Sequence, residues 1–198
     1  MTEEKKSMYT QTEVEPMTVR VGLHPFLVGM NRTQLALLTD CALAVQFKKN
    51  QVIFREGEPA NRFYLIETGK AILESSGETG DPAVIDTISA GDLLGWSWMF
   101  PPNTWHFTAR AIEATTAIFF YGTILREYCE RDHSLGYELL KRMTVVMNRR
   151  MQAARNKMLA IHHGRKTLSP VGMSPLMEQE FDTHQGANDD PQFREGAD

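Results

Sequence analysis

Residues 52–70 read VIFREGEPANRFYLIETGK, two short apolar runs separated by a polar stretch and followed by a glycine. Such runs, rich in β-branched and aromatic residues and bounded by turn formers, predict strands over Gln51–Phe54 and Arg62–Glu67. Gly69 supplies the conformational freedom of a tight turn into the apolar run that begins at Lys70. This stretch therefore predicts short strands joined by tight corners.

The same texture extends over residues 45–121, and a second glycine corner occurs at Gly91. Many short strands separated by regular turns are typical of a β-sandwich or barrel. The other predicted strands are Lys70–Glu74, Ala83–Ile88, Phe107–Ile112 and Thr115–Tyr121.

Helical spacing flanks the β region on both sides. Apolar spacing within Thr33–Ala44 predicts a first helix, and Ile124, Leu125 and Tyr128 suit a short second one. A long third helix ends near Ala160. Its apolar stripe is long enough to need a partner, which predicts helix pairing. The stripe consists of Leu135, Leu139, Met143, Met147, Met151 and Met158.

A basic face of the long helix continues into the residues after it, and its members are Arg149, Arg150, Arg155, Lys157, Arg165 and Lys166. Such a face is usually solvated, but it is also suited to contact with an acidic partner.

Composition divides the chain into three parts. Residues 1–20 are polar and predict a flexible N-terminal tail. Residues 21–160 predict one folded domain, with a barrel at about 45–121 and C-terminal helices at about 122–160. Residues 161–198, rich in Gly, Pro, Gln, Asp and Asn, predict a disordered C-terminal tail.

Length and charge exclude several functional classes. With 198 residues and 42% hydrophobic composition, the chain can bury one core. The 21 basic and 25 acidic residues give a net charge of −4, without the positive excess typical of nucleic-acid binders. The N-terminus lacks a signal-peptide core and no segment is apolar for long enough to span a bilayer, so we expect a cytoplasmic protein with no membrane partner.

Residues that carry catalytic or metal chemistry form no recognisable group. Cys41 and Cys129 lie outside any CxxC pair or Cys/His cluster, which favours two buried thiols over a metal site or a disulfide. No P-loop, GxSxG elbow or nucleophile–base pattern occurs, so no enzyme activity is expected. A cupin-like metalloenzyme is a weaker alternative, because the sequence has no HxH pair and His106 has no neighbouring His or Cys.

Residues 23–160 resemble the sensor domain of the catabolite activator protein and its relatives in the cyclic-nucleotide-binding superfamily. The resemblance rests on residues 52–66 followed by Gly69, and on GDLLG at residues 91–95, which looks like the start of the family's phosphate-binding cassette. It implies a mainly β fold with flanking helices, namely a double-stranded β-helix or jelly-roll barrel of eight strands plus a long C-terminal helix. We expect a stand-alone domain without a DNA-binding domain.

In ligand-binding relatives, the cassette places a Glu for the ribose hydroxyl after its glycine and an Arg for the cyclic phosphate before the next strand. By this resemblance the cassette spans residues 91–106 here, Trp96 stands at the position of the Glu, and Trp105 stands near that of the Arg. We therefore expect binding of cAMP or cGMP to be weak, altered or lost. Backbone N–H groups from Gly95 onward, opening a short helix, still attract an anion. If Trp105 faces the pocket, Arg110 faces away, because strand residues of odd separation point to opposite sides.

All three tryptophans of the chain lie within residues 96–105, and two interpretations follow. In one, aromatic bulk fills a pocket that has lost its ligand and stabilises the fold. In the other, the rings form a stacking platform for a planar ligand, with the indole N–H groups and His106 giving direction. No cofactor or metal is expected, and the candidate occupant is a cyclic nucleotide or another small planar or anionic ligand. The candidate pocket residues are Gly95, Trp96, Ser97, Trp98, Trp105 and His106.

These features favour a non-enzymatic regulatory or sensor protein. The alternatives are a transcription regulator of the catabolite activator type that acts through a partner, and a structural or adaptor subunit with a filled pocket. About 38 residues follow the long helix without a second apolar helix pair, so sequence-specific nucleic-acid binding is not expected. We expect a homodimer through residues 135–159, or association with a protein partner, using Leu139, Met143, Met147, Met151 and Met158.

Overall fold

The computed structural model describes residues 15–76 and 82–162, and its centre is a pair of four-stranded antiparallel sheets. The strands are β1 (Ala42–Phe47), β2 (Val52–Phe54), β3 (Arg62–Thr68), β4 (Lys70–Ser76), β5 (Pro82–Ser89), β6 (Leu93–Leu94), β7 (Thr108–Ala111) and β8 (Thr115–Tyr121). The first sheet has the order β1-β8-β3-β6, and the second has the order β2-β7-β4-β5. The predicted mainly β fold is confirmed, and each predicted strand is present.

Both sheets contain strand pairs formed between parts of the chain that are distant in sequence. Strands β1 and β8 pair along the whole of β1, so the first and last strands lie side by side. In the second sheet, β4 pairs with β5 on one side and with β7 on the other. The short β6 pairs with β3 through Tyr64 opposite Leu94, which fixes the start of the cassette against the first sheet.

Alternation along β3 separates two apolar cores. Phe63 and Leu65 face the helices, whereas Tyr64 and Ile66 face the space between the sheets. These are termed the helix-side core and the barrel core. Each core includes the side chains of one face of β3, so a one-residue shift in the register of β3 would exchange them.

Four helices cover the outer face of the first sheet. They are α1 (Met17–Leu23), α2 (Arg32–Asp40), α3 (Gly122–Arg131) and α4 (His133–His162). Helix α2 begins at a capping box, in which the Asn31 side chain accepts from the Gln34 N–H at 2.9 Å and the Gln34 side chain accepts from the Asn31 N–H. Each helix contributes at least one buried side chain to the helix-side core.

The first predicted helix, Thr33–Ala44, extends too far. Helix α2 ends at Asp40, and both Ala42 and Ala44 belong to β1, where they pair with β8. Strands β1 and β6 are additional to the predicted strands.

The predicted N-terminal tail, residues 1–20, overlaps α1. That helix begins at Met17, and a bidentate ion pair between Arg20 and Glu67 joins it to the end of β3. Residues 1–14 and 163–198, which contain the remaining predicted tails, lie outside the described residues.

A buried cation joins α4 to the turn between α1 and α2. Arg142 Nη1 donates to the carbonyl oxygens of Phe26 at 3.0 Å and Val28 at 2.7 Å. The side chain is 1% exposed, and burial lowers its pKa, while the Glu138 carboxylate opposes that shift. Two carbonyls of a non-helical turn thus receive hydrogen bonds from one guanidinium.

His24 forms a second buried polar link. Its Nδ1 accepts from the Phe26 N–H at 3.2 Å, so Nε2 carries the proton and donates to the Ile66 carbonyl at 3.1 Å. Burial lowers the pKa of His24, and the bond to Ile66 and the carboxylates of Glu67 and Asp92 oppose this only in part. The folded chain therefore favours the neutral imidazole.

We expect acid to destabilise the fold through His24. The unfolded chain binds the proton near the ordinary pKa of 6.5, whereas the folded chain resists it, so stability is present above pH 6.5 and falls as pH decreases toward the lowered folded pKa. Urea unfolding at pH values on both sides of 6.5 measures the effect. The variant His24→Gln keeps a donor but does not titrate, and it should lose less stability. An equal loss in both proteins would contradict this origin.

Candidate functional site

The cassette turns sharply at Gly95. This residue has a left-handed φ of 89° and precedes a single 3₁₀ turn, Trp96–Met99. A Cβ at position 95 would lie 3.0 Å from the carbonyl oxygen of Arg62 and 3.0 Å from the Trp105 ring. Both the backbone conformation and the lack of space therefore require glycine here.

The loop that follows is held by hydrogen bonds within the chain. Asn103 has φ of 57°, and its Nδ2 donates to the carbonyls of Trp98 at 2.8 Å and Phe100 at 3.0 Å. Arg126 of α3 donates to the same Trp98 carbonyl. The loop's conformation is thus specified by the chain's own polar groups.

Trp105 lies in the barrel core. Its backbone N–H donates to the Glu58 carbonyl at 2.9 Å, and its backbone carbonyl accepts from the Gly57 N–H at 2.8 Å. The side chain is 4% exposed and stacks on Phe54, with ring centroids 3.9 Å apart and 14° between the planes. Its outer ring edge contacts Gly95. The indole therefore fills the part of the barrel that adjoins the cassette.

The other two indoles belong to the helix-side core. Trp98 is 1% exposed and lies edge-on to Phe63 at 6.2 Å. Trp96 is half-buried against the same core and lies edge-on to Phe100. The three tryptophans are thus divided between two cores, which corrects the interpretation that all three form one stacking platform.

Ser97 and His106 lie at the rim of the cassette. The Ser97 Oγ is 3.4 Å from His106 Nδ1, with the serine buried and the histidine exposed. Because His106 is exposed and its neighbour Trp105 is buried, they do not share the barrel core. The structure brings the predicted pocket residues together as two separate pairs, Gly95 with Trp105 and Ser97 with His106.

Charged side chains lie outside the barrel core. Arg110 of β7 donates through Nε and Nη2 to Glu74 Oε1, at 2.9 and 2.6 Å, on the outer face of the second sheet. It therefore faces away from Trp105, as predicted. Among the described residues, the buried carboxylate is Glu74 and the buried guanidinium is Arg142, and neither belongs to the barrel core.

Reactive thiols, metal ligands and membrane-spanning helices in the described ranges would indicate other functions. Burial raises the pKa of the Cys41 and Cys129 thiols to about 11 each, so both are protonated and poorly nucleophilic at neutral pH. No three His, Cys, Asp or Glu residues in these ranges come together as metal ligands. None of the described helices is long and apolar enough to cross a membrane.

Two arginines of α4 bind the start of the cassette. Arg149 Nη2 donates to Asp92 Oδ1 at 2.6 Å, and Arg150 Nη2 donates to the Leu93 carbonyl at 2.5 Å. Arg150 Nε also lies 3.5 Å from a carboxylate oxygen of Asp86 in β5. These arginines belong to the basic face predicted from the sequence. Their spacing did not indicate that they contact Asp92, Leu93 and Asp86. The long helix is thus fastened to the cassette.

One apolar face of α4 is buried against its own domain. Leu139 and Met143 are fully buried in the helix-side core and cannot reach a second chain, so their predicted place in a dimer face is corrected. The buried face consists of Leu135, Leu139, Met143 and Val146.

A second face of α4 points away from the domain. Its residues repeat at alternating intervals of three and four, which is the spacing of a coiled-coil seam. Met147 is half-buried, whereas Met151 and Met158 are exposed. This face, termed the outward stripe, consists of Tyr137, Leu140, Thr144, Met147, Met151, Ala154, Met158 and Ile161.

Comparison with known proteins agrees with this architecture. Residues 44–132 match the family model of the cyclic nucleotide-binding domain. This part of the chain is thus similar to that family. The match runs from within β1 to the residue after α3 and includes the whole cassette, so the predicted resemblance is confirmed over both sheets.

The relatives of this domain are regulatory proteins. The CRP-like cAMP-activated global transcriptional regulator of Mycobacterium tuberculosis is 25% identical over 130 residues, which are 66% of this chain and 56% of that protein. The chain thus spans about half the length of this curated relative.

Solved structures share the fold. A cyclic nucleotide-binding domain from Methylobacillus flagellatus has a TM-score of 0.62 and 17% identity, over 78% of this chain and 83% of that one. The regulatory subunit of a cAMP-independent protein kinase A from Trypanosoma brucei has a TM-score of 0.52 and 19% identity, over 62% and 43%.

Proposed function

We propose that this protein is a non-enzymatic regulatory protein whose nucleotide cassette is filled by its own Trp105 and which signals through the position of α4. The observation that carries the proposal is the burial of Trp105 in the barrel core, stacked on Phe54 and in contact with Gly95. By the family resemblance, relatives bind the cyclic phosphate in this region. A nucleotide would have to displace the indole to reach it.

Two energetic costs oppose nucleotide binding. A bidentate Arg–phosphate contact is charge-assisted, and burying a phosphate without that partner loses about 3 to 5 kcal/mol, or roughly two to four decades of affinity. Expelling Trp105 loses about another 2 kcal/mol or more of apolar burial. Together these costs oppose binding of cAMP or cGMP at micromolar concentrations.

The remaining backbone N–H groups compensate little. The 3₁₀ segment is a single turn of four residues, and the Trp105 ring covers Gly95 from the barrel side. The N–H groups predicted to attract an anion are therefore screened by the same indole that fills the barrel.

The contacts of α4 support the signalling part of the proposal. Because Arg149 and Arg150 bind Asp92 and Leu93, a displacement of the cassette changes the anchoring of the long helix. The Trypanosoma brucei subunit of this fold belongs to a protein kinase A described as cAMP-independent, which is a precedent for regulation by this fold that does not depend on cAMP.

Calorimetric titration with cAMP and cGMP tests the filled cassette. We expect no saturable binding in the micromolar range for the natural chain. The matched control is Trp105→Arg, which removes the indole from the barrel core and supplies the cation of the family pattern, and which should bind more tightly than the natural chain. A low-micromolar dissociation constant for the natural chain would overturn the proposal, and the exposed side chains of Arg62 and His106 would then be the candidates for binding the phosphate.

We further propose a homodimer formed by the first half of the outward stripe, Tyr137 to Met147. The cation beside this half, Lys141, is paired with Glu138 at 3.1 Å, so like charges do not oppose pairing there. Met147→Glu should weaken self-association by about tenfold or more, because it buries an unpaired charge in the seam. Sedimentation equilibrium measures this, with the exposed Val84→Glu on β5 as the control. A natural chain that stays monomeric at high concentration would refute the dimer.

A further inference from the structure

The end of α4 extends past the two arginines that fasten the helix to the cassette. Residues 151–162, termed the distal segment, follow directly after Arg150, and every side chain from Met151 to Leu159 is exposed. Within this segment, Lys157 Nζ donates to the Ile85 carbonyl at 3.2 Å. At about 1.5 Å of rise per residue, the segment is roughly 18 Å long. This is enough helix for a partner helix to lie against it.

The distal segment continues the outward stripe. Its residues on this stripe recur at intervals of three and four, the spacing at which a second helix packs in a coiled coil. They are Met151, Ala154, Met158 and Ile161. Met158 is 70% exposed and Ile161 is 71% exposed. These apolar side chains are thus presented to solvent at coiled-coil spacing.

Positive charge flanks the stripe on both sides. Arg155 and Lys157 take the two positions beside the seam that set partner choice in coiled coils. Residues 139–162 contain six Lys and Arg and no Asp or Glu, in a chain whose net charge is −4. The basic end of α4 therefore stands out from an otherwise acidic protein.

Pairing of the distal segment with a second copy is disfavoured by these charges. In a parallel pair, Arg150 of one chain lies opposite Arg155 of the other, and in an antiparallel pair Arg155 lies opposite Arg155. Like charges opposite one another destabilise either arrangement. The first half of the outward stripe does not have this conflict, so the two halves of α4 suit different partners.

We propose that the distal segment is a docking site for an acidic amphipathic helix of a partner protein, which places apolar side chains on the stripe and carboxylates opposite Arg155 and Lys157. The spacing favours a helix over a nucleic acid, because phosphate binding gives Met158 and Ile161 nothing to pack against. It favours a helix over a lipid surface, because the segment has no aromatic residue to anchor at an interface. The site goes beyond the proposed cassette function and does not depend on it.

Two synthetic peptides test the site on the full-length chain. Both have Ile and Leu at the seam positions, and one has Glu at the flanking positions where the other has Lys. Fluorescence anisotropy should show the Glu peptide binding about tenfold tighter or more, with a preference that weakens as salt is added. The double variant Arg155→Glu, Lys157→Glu should reverse the preference, and Met158→Asp should weaken binding of both peptides.

The controls separate docking from general charge and from the dimer. Lys48→Glu, Lys49→Glu changes two exposed cations in the connection between β1 and β2 and should leave the preference unchanged. Equal binding of the two peptides, or an unaltered preference in the Arg155 and Lys157 variant, would overturn the proposal. Tighter binding to phosphatidylserine vesicles or to duplex DNA than to the Glu peptide, lost in the same variant, would overturn it as well. Met147→Glu, which tests the dimer, should retain peptide binding.

Discussion

Replacing Trp105 with Ala is expected to lower the free energy of unfolding by about 3 to 5 kcal/mol. The side chain is almost wholly buried, stacks on Phe54 and contacts Gly95, so its loss removes apolar burial and leaves a cavity in the barrel core. Urea unfolding followed by circular dichroism measures the change.

Two further measurements identify the cause of that loss. Trp105→Phe keeps an aromatic ring against Phe54 and should be milder than the Ala variant. Added indole should stabilise the Ala variant but not the natural chain, because an apolar cavity of suitable shape binds the missing ring. A loss below about 1 kcal/mol for Trp105→Ala would show that the indole does not fill the core. The proposal of a filled cassette would then lose its main support.

Arg142→Ala is expected to destabilise the fold by about 3 to 5 kcal/mol, the range found when one partner of a buried charged contact is removed. The guanidinium donates to the carbonyls of Phe26 and Val28, and each acceptor left without a donor costs about 1 to 3 kcal/mol. Because these carbonyls lie in the turn before α2, the N-terminal helices should also become more open to proteolysis. Urea unfolding and limited trypsin digestion measure the two effects.

Arg142→Met is the matched variant, since it retains apolar bulk but donates no hydrogen bond. It should remain clearly less stable than the natural chain if the carbonyl bonds dominate. Arg131→Ala, which removes an exposed pair with Glu127, should change stability by about 0.5 kcal/mol or less. If Arg142→Ala resembled Arg131→Ala, the guanidinium would not hold the N-terminal turn.

The strands were predictable where alternation and glycine turns agree. Strand β1 was not, because its sequence ALAVQF follows a helix directly and alanines fit either period, so pairing with β8 decides its conformation. Strand β6 has two residues, too few for any periodic signal. In both cases the deciding contact lies far away in the sequence.

The candidate site was predictable only in part. Alternation predicted that Arg110 faces outward if Trp105 faces the pocket, but the left-handed backbone of Gly95 breaks alternation and sends Trp96 into the other core. On α4, apolar residues occupy two faces, and spacing alone could not assign Met143 to one and Met151 to the other. Burial against neighbouring helices makes that assignment.

The burial of Trp96 and Trp105 in two different cores makes the filled barrel hard to reverse by single substitutions. An arginine at position 105 alone would be buried against Phe54 without a counter-charge, at a cost of several kcal/mol. A glutamate at position 96 alone would replace a ring that packs on the helix-side core. Either substitution alone lowers the stability of the fold before a bound ligand can compensate for it. We therefore expect Trp96 and Trp105 to occur together in related sequences.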